Sequence, residues 1–431
     1  MASKLFSPLI SPALRFLPWV PTTLLTLPPS IALHIALHPS PSLPNFVASP
    51  VTSPLHLPLF FTLGSIPIFY FLGLVTNNIS WVDRSWPLYP PVISCMIFVW
   101  ALINHASLSY AGNIPRITLM FGLQLIWSTR LLSHATKRGF YDLKGQDYRY
   151  TVVQKIVPRW AFALIHFFVV AIAQPILLFA LCLPLYAALV SAPLPQDQPW
   201  SIPFSAVAGL LPSRLRTAVP LETPVLAVSD YIMTAISLFI IVVEWQADKQ
   251  MYAFQTGKHN LISSLPNDQL IHPSPPTSED QPLIQKEGLP KPSPYPVSHH
   301  PGYPTRGMWR LSRHPNFAAE QLFWVSQGLF AAFTGAASGT AEQGWFMRTA
   351  LGPCFALSLL FCSSTFLTEW ISGRKYPSFK RYKQLVGEFL PQETALLWLW
   401  GVVRGTRGQL VKEIYEAPRP VTMARPSEQH Y

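Results

Sequence analysis

The chain has 431 residues, of which 12% are charged and 50% hydrophobic, with a mean hydropathy of +0.27 and a formal net charge of +11. That balance excludes an ordinary set of soluble domains and points to lipid as the main solvent. The excess of bases does not indicate a nucleic-acid partner, because Lys and Arg sit between apolar segments and do not gather on one polar domain.

Residues 1–57 form a Ser/Pro-rich N-terminal segment, and no Asp or Glu occurs before Asp83. The segment reads as a targeting sequence or as one extra crossing over Phe16–Leu37, interrupted by Pro18, Pro21, Pro28 and Pro29. Apolar stretches then recur at Phe60–Thr76, Pro87–Ile103, Ile114–Leu132, Trp160–Val190, Pro224–Val243, Phe317–Ser338 and Thr349–Leu367. A hydrocarbon core takes roughly 20 helical residues, so the pattern predicts an all-α, polytopic transmembrane helical bundle of about seven spans. Residues 58–255 hold the N-terminal and middle helices and 306–392 the C-terminal ones. Between them, 256–305 is Pro/Ser/His-rich without apolar periodicity and is expected to be a disordered cytoplasmic insertion. In 393–431, Ala395–Val403 is too short to span and is expected at the interface, followed by a mobile tail. Cys95, Cys182, Cys354 and Cys362 all lie in apolar segments without Cys-x-x-Cys spacing, which indicates neither a disulfide framework nor a metal site.

Charge fixes the expected sidedness. The connection from Arg130 to Arg159 also carries Lys137, Arg138, Lys144, Arg149 and Lys155, against only Asp142 and Asp147, so it is read as cytoplasmic. One crossing per segment puts 77–86, 244–316 and everything after 368 on that side, and the loops 104–113, 191–223 and 339–348, poorer in bases, on the other.

Four constellations fall at this cytoplasmic edge. The densest is Gly307-Met-Trp-Arg-Leu-Ser-Arg-His-Pro-Asn-Phe-Ala-Ala-Glu-Gln321, where Pro315 suits the first turn of a helix. Free N–H groups beside Arg310, Arg313 and His314 would make an anion site there, and Glu320 should face a polar partner and not lipid. The residues alone leave open a plainer reading, with Arg310 and Arg313 as anchors and Asn316 and Glu320 as helix-end residues. The second is Glu244-Trp-Gln-Ala-Asp248, whose spacing puts both acids on one helix face. Third come Glu369, Arg374, Tyr376 and Tyr382, with Lys375, Lys380, Arg381 and Lys383 read as headgroup anchors. The fourth joins Trp81-Val-Asp-Arg-Ser-Trp86 to Trp127, Arg130, Arg138 and Asp147-Tyr-Arg-Tyr150; an aromatic belt is its ordinary explanation, with Asp83 and Arg84 paired. A shared edge suits an enzyme that takes a soluble cofactor from the cytosol and a lipid from the side.

Taken in order, Trp81-x-Asp-Arg-x-Trp86, Trp127-x-x-Arg130, Asp147-x-Arg149-Tyr150, Glu244-x-x-x-Asp248, Ser312-Arg-His-Pro-Asn-Phe-Ala-Ala-Glu320, Glu369 and Tyr376-Pro through Tyr382 resemble the steroid 5-alpha-reductase C-terminal-like membrane family, over roughly residues 60–392. That family, largely a domain of unknown function, is similar to sterol reductases and, more distantly, to isoprenylcysteine carboxyl methyltransferases. The resemblance implies a cytoplasmic-side cofactor pocket built from the C-terminal helices. It further implies NADPH held by Glu244, Asp248, Arg313, Asn316, Glu320, Glu369 and Tyr382; the residue pattern adds Trp309, Arg310, His314 and Arg374. The expected activity is reduction of a lipid-soluble enone at a CH–CH bond, with Tyr150, Tyr382 or Glu320 as the acid. A methyltransferase using S-adenosylmethionine and a non-enzymatic scaffold or transporter are the alternatives. The expected partners are the lipid bilayer and a hydrophobic small-molecule substrate, and the expected location is the endoplasmic reticulum with the site facing the cytosol.

Overall fold

The computed structural model describes residues 53–104, 113–142, 145–192, 194–196, 201–217, 220–273, 290–337 and 351–417, together with a few positions between 29 and 37. Of the expected crossing at Phe16–Leu37 only residues 29, 31–33 and 36–37 are described, while 274–289 and the end of the C-terminal tail lie outside the described residues.

The chain forms two compact units, residues 1–242 with 320–362 and residues 243–319 with 363–431. The 306–392 block expected from the sequence is therefore divided, with Glu320–Cys362 belonging to the first unit.

In the first unit the helices are α1 (His56–Thr76), α2 (Trp81–Ser85), α3 (Tyr89–Asn104), α4 (Ile114–Lys137), α5 (Tyr148–Ile156) and a helical rod, α6 (Arg159–Val190), whose Ile165–Ala173 portion is wound as a π-helix. Two short strands, β1 (Ser201–Pro203) and β2 (Pro224–Ala227), pair antiparallel and pack with Ile114, Phe204, Val225 and Leu226. Chain continuity carries three more helices through the unit boundaries: α7 (Val228–Ser264), α8 (Pro315–Ala337) and α9 (Gly352–Lys375). Gly73 is required where α1 meets α6, because a Cβ there would come within 2.4 Å of the His166 ring. Arg116 and Asp230 form a fully buried ion pair at 2.9 Å, closed by Asn113 and by the backbone N–H of Ala227.

Every apolar stretch expected to cross is helical over most of its length, and among the described residues four helices are long and apolar enough to span: α1, α6, α7 and α9. The other three expected crossings fall outside that set. Helix α3 is short, and α4 and α8 carry buried polar groups (Arg116, Gln124 and Ser128 in one; Glu320, Ser326 and Gln327 in the other) that lower their mean hydropathy.

The second unit adds β3 (Leu270–Ile271) paired with β4 (Tyr295–Pro296), and helices α10 (Phe379–Leu385), α11 (Pro391–Val403) and α12 (Arg407–Tyr415). The insertion reading fails at both of its described ends. Helix α7 runs on to Ser264, while Tyr295 and Tyr303 are buried with Tyr376, Phe379 and Tyr382. The physical reason is aromatic: each ring buried this way contributes about 1.5–3 kcal/mol, enough to order a Pro-rich segment that shows no periodicity. Lys258 Nζ strengthens the fixation by donating to Gly302 O at 3.0 Å and Tyr376 Oη at 3.1 Å. Gly302, at φ +102°, is the residue that admits this approach, since a Cβ would lie 2.5 Å from Tyr376. Helix α11 starts at Pro391, its first turn capped by Glu393, and exposes Leu396, Leu399, Trp400 and Val403 at helical spacing, the apolar face expected of an interfacial segment.

Candidate functional site

The predicted site residues divide between the units. In the second unit, Arg313, His314, Asn316, Glu244, Asp248, Trp309, Glu369 and Tyr382 are all present, and two of them, Arg313 and His314, meet Glu369. Arg313 Nε donates to Glu369 Oε1 at 2.6 Å, His314 Nε2 lies 3.2 Å from the same oxygen, and Lys383 Nζ lies 2.7 Å from Oε2. Three basic side chains thus meet one buried carboxylate.

Arg313 also donates from Nη1 to Val386 O and sits 3.7 Å from Glu388 Oε2. Burial, and then the charge of Glu369, push the Glu388 carboxyl up toward its neutral form. Pro315 opens α8 as its sequence position predicts. The N–H groups next to it, however, are not free for an anion. Arg313 N donates to Gly387 O at 2.9 Å and His314 N to Glu388 O at 3.1 Å, because the 386–388 turn folds over the helix start.

Asn316 Nδ2 donates to Asp248 Oδ1 at 3.1 Å, and Glu244 lies buried one helical turn before Asp248. Trp309 is 3% exposed, and its indole Nε1 has no hydrogen-bond acceptor among the described residues. Its carbonyl accepts from the Tyr382 hydroxyl, so that phenol is tied to the backbone, and burial holds its pKa well above the usual range. Arg310 is exposed and stacks on Trp398 and Tyr415, and Arg374 stacks on Trp370. These two arginines are engaged with aromatic faces and not with the Glu369 cluster.

Glu320 and Tyr150 belong to the first unit. Glu320 accepts from Trp127 Nε1 at 2.9 Å and from Trp324 Nε1 at 3.0 Å, one indole on each oxygen, with Arg130 Nη2 at 3.6 Å. Both oxygens are occupied. Tyr150 is half-buried; its hydroxyl lies 3.4 Å from Asp83 Oδ1 and 3.3 Å from Gln174 Nε2. Burial pushes the Asp83 carboxyl up to about 6, against the opposing charge of Arg149, and burial together with Asp83 holds the Tyr150 phenol well above its ordinary value. The expected Asp83–Arg84 pair does not form as such: Arg84 donates to the carbonyls of Phe140, Asp142 and Gly145. Asp147 caps α5 by accepting from Arg149 N at 2.9 Å and also holds the Arg149 guanidinium, which frees Tyr150 of any capping duty.

A family described as a protein of unknown function, DUF1295, matches residues 69–211 and 207–386 of this chain. The chain belongs to that family. It is a steroid 5-alpha-reductase-like family, in agreement with the resemblance carried by the motifs. An uncharacterized protein of Schizosaccharomyces pombe is 28% identical over 341 residues, covering 79% of this chain and 80% of that protein. No solved structure matches.

Every predicted site residue lies within the matched segments, whereas Glu388, α11 and α12 lie beyond them. Two members of the Glu369 cluster were missed. Lys383 was assigned to headgroups with its neighbours, and Glu388 was not singled out. The signal for Lys383 is its place one turn after Phe379, a buried position of α10, from which its ammonium reaches Glu369 although the side chain stays half exposed. Glu388 gives no comparable signal, since its role follows from the turn that returns to Arg313.

Proposed function

We propose that this protein is a membrane-embedded, NADPH-dependent reductase of a lipid-soluble enone such as a steroid, sterol or polyprenoid-like molecule, in the endoplasmic reticulum with its cofactor side facing the cytosol. The observation that carries this reading is the meeting of Arg313, His314 and Lys383 on the single carboxylate of Glu369. Arg313 and Lys383 together outnumber that carboxylate, and these two permanent cations would be the partners of a polyphosphate.

The remaining donors and acceptors fit the rest of a dinucleotide. The unused Trp309 indole N–H would donate to a cofactor oxygen, and Asp248, oriented by Asn316, would accept from a ribose hydroxyl or a carboxamide. Glu244 adds a second acceptor on the same helix face. When bound, NADPH supplies hydride to the carbon beta to the carbonyl.

The chain itself must supply a proton and orient the substrate. Of the three acids expected from the sequence, Glu320 has both oxygens taken by indoles and the Tyr382 hydroxyl is spent on Trp309 O. Tyr150 is the acid we assign. Its phenol is protonated at neutral pH, and Asp83 beside it holds the hydroxyl and, below about pH 6, is itself protonated and can replace the proton that leaves.

A methyltransferase using S-adenosylmethionine is the second reading, favoured by one observation: Glu244 and Asp248 are two buried acids one turn apart, a pair suited to a cofactor amine. Thermal unfolding of the purified chain separates the readings. NADPH at a hundredfold excess over its Kd should raise Tm by several degrees, corresponding to about 2.7 kcal/mol. A rise with S-adenosylmethionine alone would replace the reductase by the transferase, and a rise with neither would leave a scaffold or transporter.

A further inference from the structure

Two glutamines in the interior of the first unit take no part in the chemistry above. Gln124 on α4 and Gln327 on α8 are both 0% exposed, and neither the amide nitrogen nor the amide oxygen of either one has a hydrogen-bond partner among the described residues. Buried amides left this way are rare, because each unmade hydrogen bond forfeits the solvation the group had in water. A glutamine inside a bundle of apolar helices ordinarily hydrogen-bonds to a neighbouring helix, and neither of these does so among the described residues.

The contacts around them place the two side chains together. Trp127 stacks on Phe323 at 5.7 Å and meets Trp324 edge-on at 5.0 Å, while Arg130 and Trp127 both reach Glu320. One turn forward along α4, from Trp127 to Arg130, corresponds to one turn backward along α8, from Phe323 to Glu320. The helices are antiparallel. One turn the other way brings Gln124, three residues before Trp127, to the level of Gln327, four residues after Phe323, on the same two facing sides. Ser326 is bonded to Ser237 at 2.8 Å and is not spare for either amide. The neighbours along the two helices are apolar and buried: Met120, Leu123, Phe323 and Phe330.

We infer that Gln124 and Gln327 are the polar end of a binding site for a lipid-soluble molecule that carries a neutral ketone or hydroxyl oxygen on an otherwise apolar body. Each carboxamide offers one N–H donor group and one C=O acceptor. A ketone oxygen accepts from both N–H groups; a hydroxyl donates to one amide and accepts from the other. A carboxylate or phosphate would meet no counter-charge from these two amides and is excluded by desolvation. The inference rests on the reductase reading only in taking the occupant to be the substrate; binding itself needs no cofactor.

The test uses the full chain, without NADPH, in detergent. Two probe series are compared by Tm shift and by native mass spectrometry: cholest-4-en-3-one, cholesterol and cholestane, and farnesal, farnesol and farnesene. In at least one series the two oxygenated members should bind about tenfold or more tightly than the hydrocarbon. In the Gln124→Leu/Gln327→Leu double variant the ratio should fall to about one, with the ligand-free Tm unchanged or higher because four unpaired polar atoms are gone. The near-isosteric single variants Gln124→Met and Gln327→Met should each lose part of the preference.

Absence of an oxygen preference in both series overturns the proposal, as does a preference that survives the double variant. A fall of several degrees in ligand-free Tm in both Met variants also overturns it, since the amides would then be structural. Loss of the NADPH-dependent Tm shift in the unsubstituted protein would strike the reductase reading and leave the oxygen preference standing.

Discussion

Glu320 in the first unit and Glu369 in the second are both buried carboxylates that the sequence placed beside a cofactor, and they are satisfied in opposite ways. Two neutral indoles and a more distant arginine hold Glu320, whereas Glu369 is held by Arg313, His314 and Lys383. Neutral donors close a carboxylate off and leave no charge to spare. Cations in excess leave a field behind them, and that field can receive an anion. Charge alone in the sequence therefore did not separate an acid held by neutral indoles from one held by a cationic cluster; the kind of donor does.

The sharpest way to break this contrast is to change each carboxylate's hydrogen bonding once, at a donor in one case and at the acid itself in the other. Arg313→Ala leaves Glu369 short of its closest cation in a buried setting, and stability should fall by about 3–5 kcal/mol, read as Tm, with NADPH affinity falling too. Glu320→Gln replaces one acceptor oxygen by a donor facing an indole N–H, so the loss should be about 1–3 kcal/mol, with turnover kept within about tenfold of the unsubstituted protein. If Glu320→Gln abolishes turnover while Tm holds, Glu320 is catalytic and the contrast is wrong.

Tyr150→Phe comes next. Removing the proton donor should lower turnover by about 10²–10⁴-fold, with the NADPH-induced Tm shift intact; a normal rate would return the role to another acid. Lys383→Ala sharpens the comparison from the second unit, because its side chain is 46% exposed and costs little to lose. NADPH affinity should weaken by about tenfold at low salt, and less at high salt, with Tm unchanged. No change at any salt would place the phosphate elsewhere.

The smallest effect is one of pH. The folded-state Asp83 carboxyl titrates at about 6, so folded protein holds a proton that the unfolded chain has already released. The stability this gives is complete below about pH 4 and is lost as pH rises through about 6. Asp83→Asn should flatten that slope and raise Tm at neutral pH by a few degrees. An unchanged slope would mean that the carboxyl is ionised throughout.

Much of this architecture was readable beforehand. The apolar runs are helices, α8 starts at Pro315, and Glu244 and Asp248 share a face, all consequences of local rules about period and proline. What was not readable depends on contacts distant in sequence. Tyr295 and Tyr303 are buried against Tyr376 and Tyr382, so a stretch without periodicity is ordered by partners 70 to 90 residues away. Helices α4 and α8 are read as crossings from the sequence but fall outside the four that are long and apolar enough, because Arg116, Gln124, Glu320 and Gln327 inside them are polar and buried. Lys383 was missed for a related reason: a base next to a membrane exit looks like an anchor until a carboxylate 14 residues away, Glu369, is seen within its reach.

The small ladder that joins Leu270 to Pro296 and Ile271 to Tyr295 has an engineering corollary. Where two flanks of a segment are clasped to each other, the entropy of closing the stretch between them rises only with the logarithm of its length. While the ladder holds, doubling the length of chain between Ile271 and Tyr295 should therefore cost only about 0.6 kcal/mol.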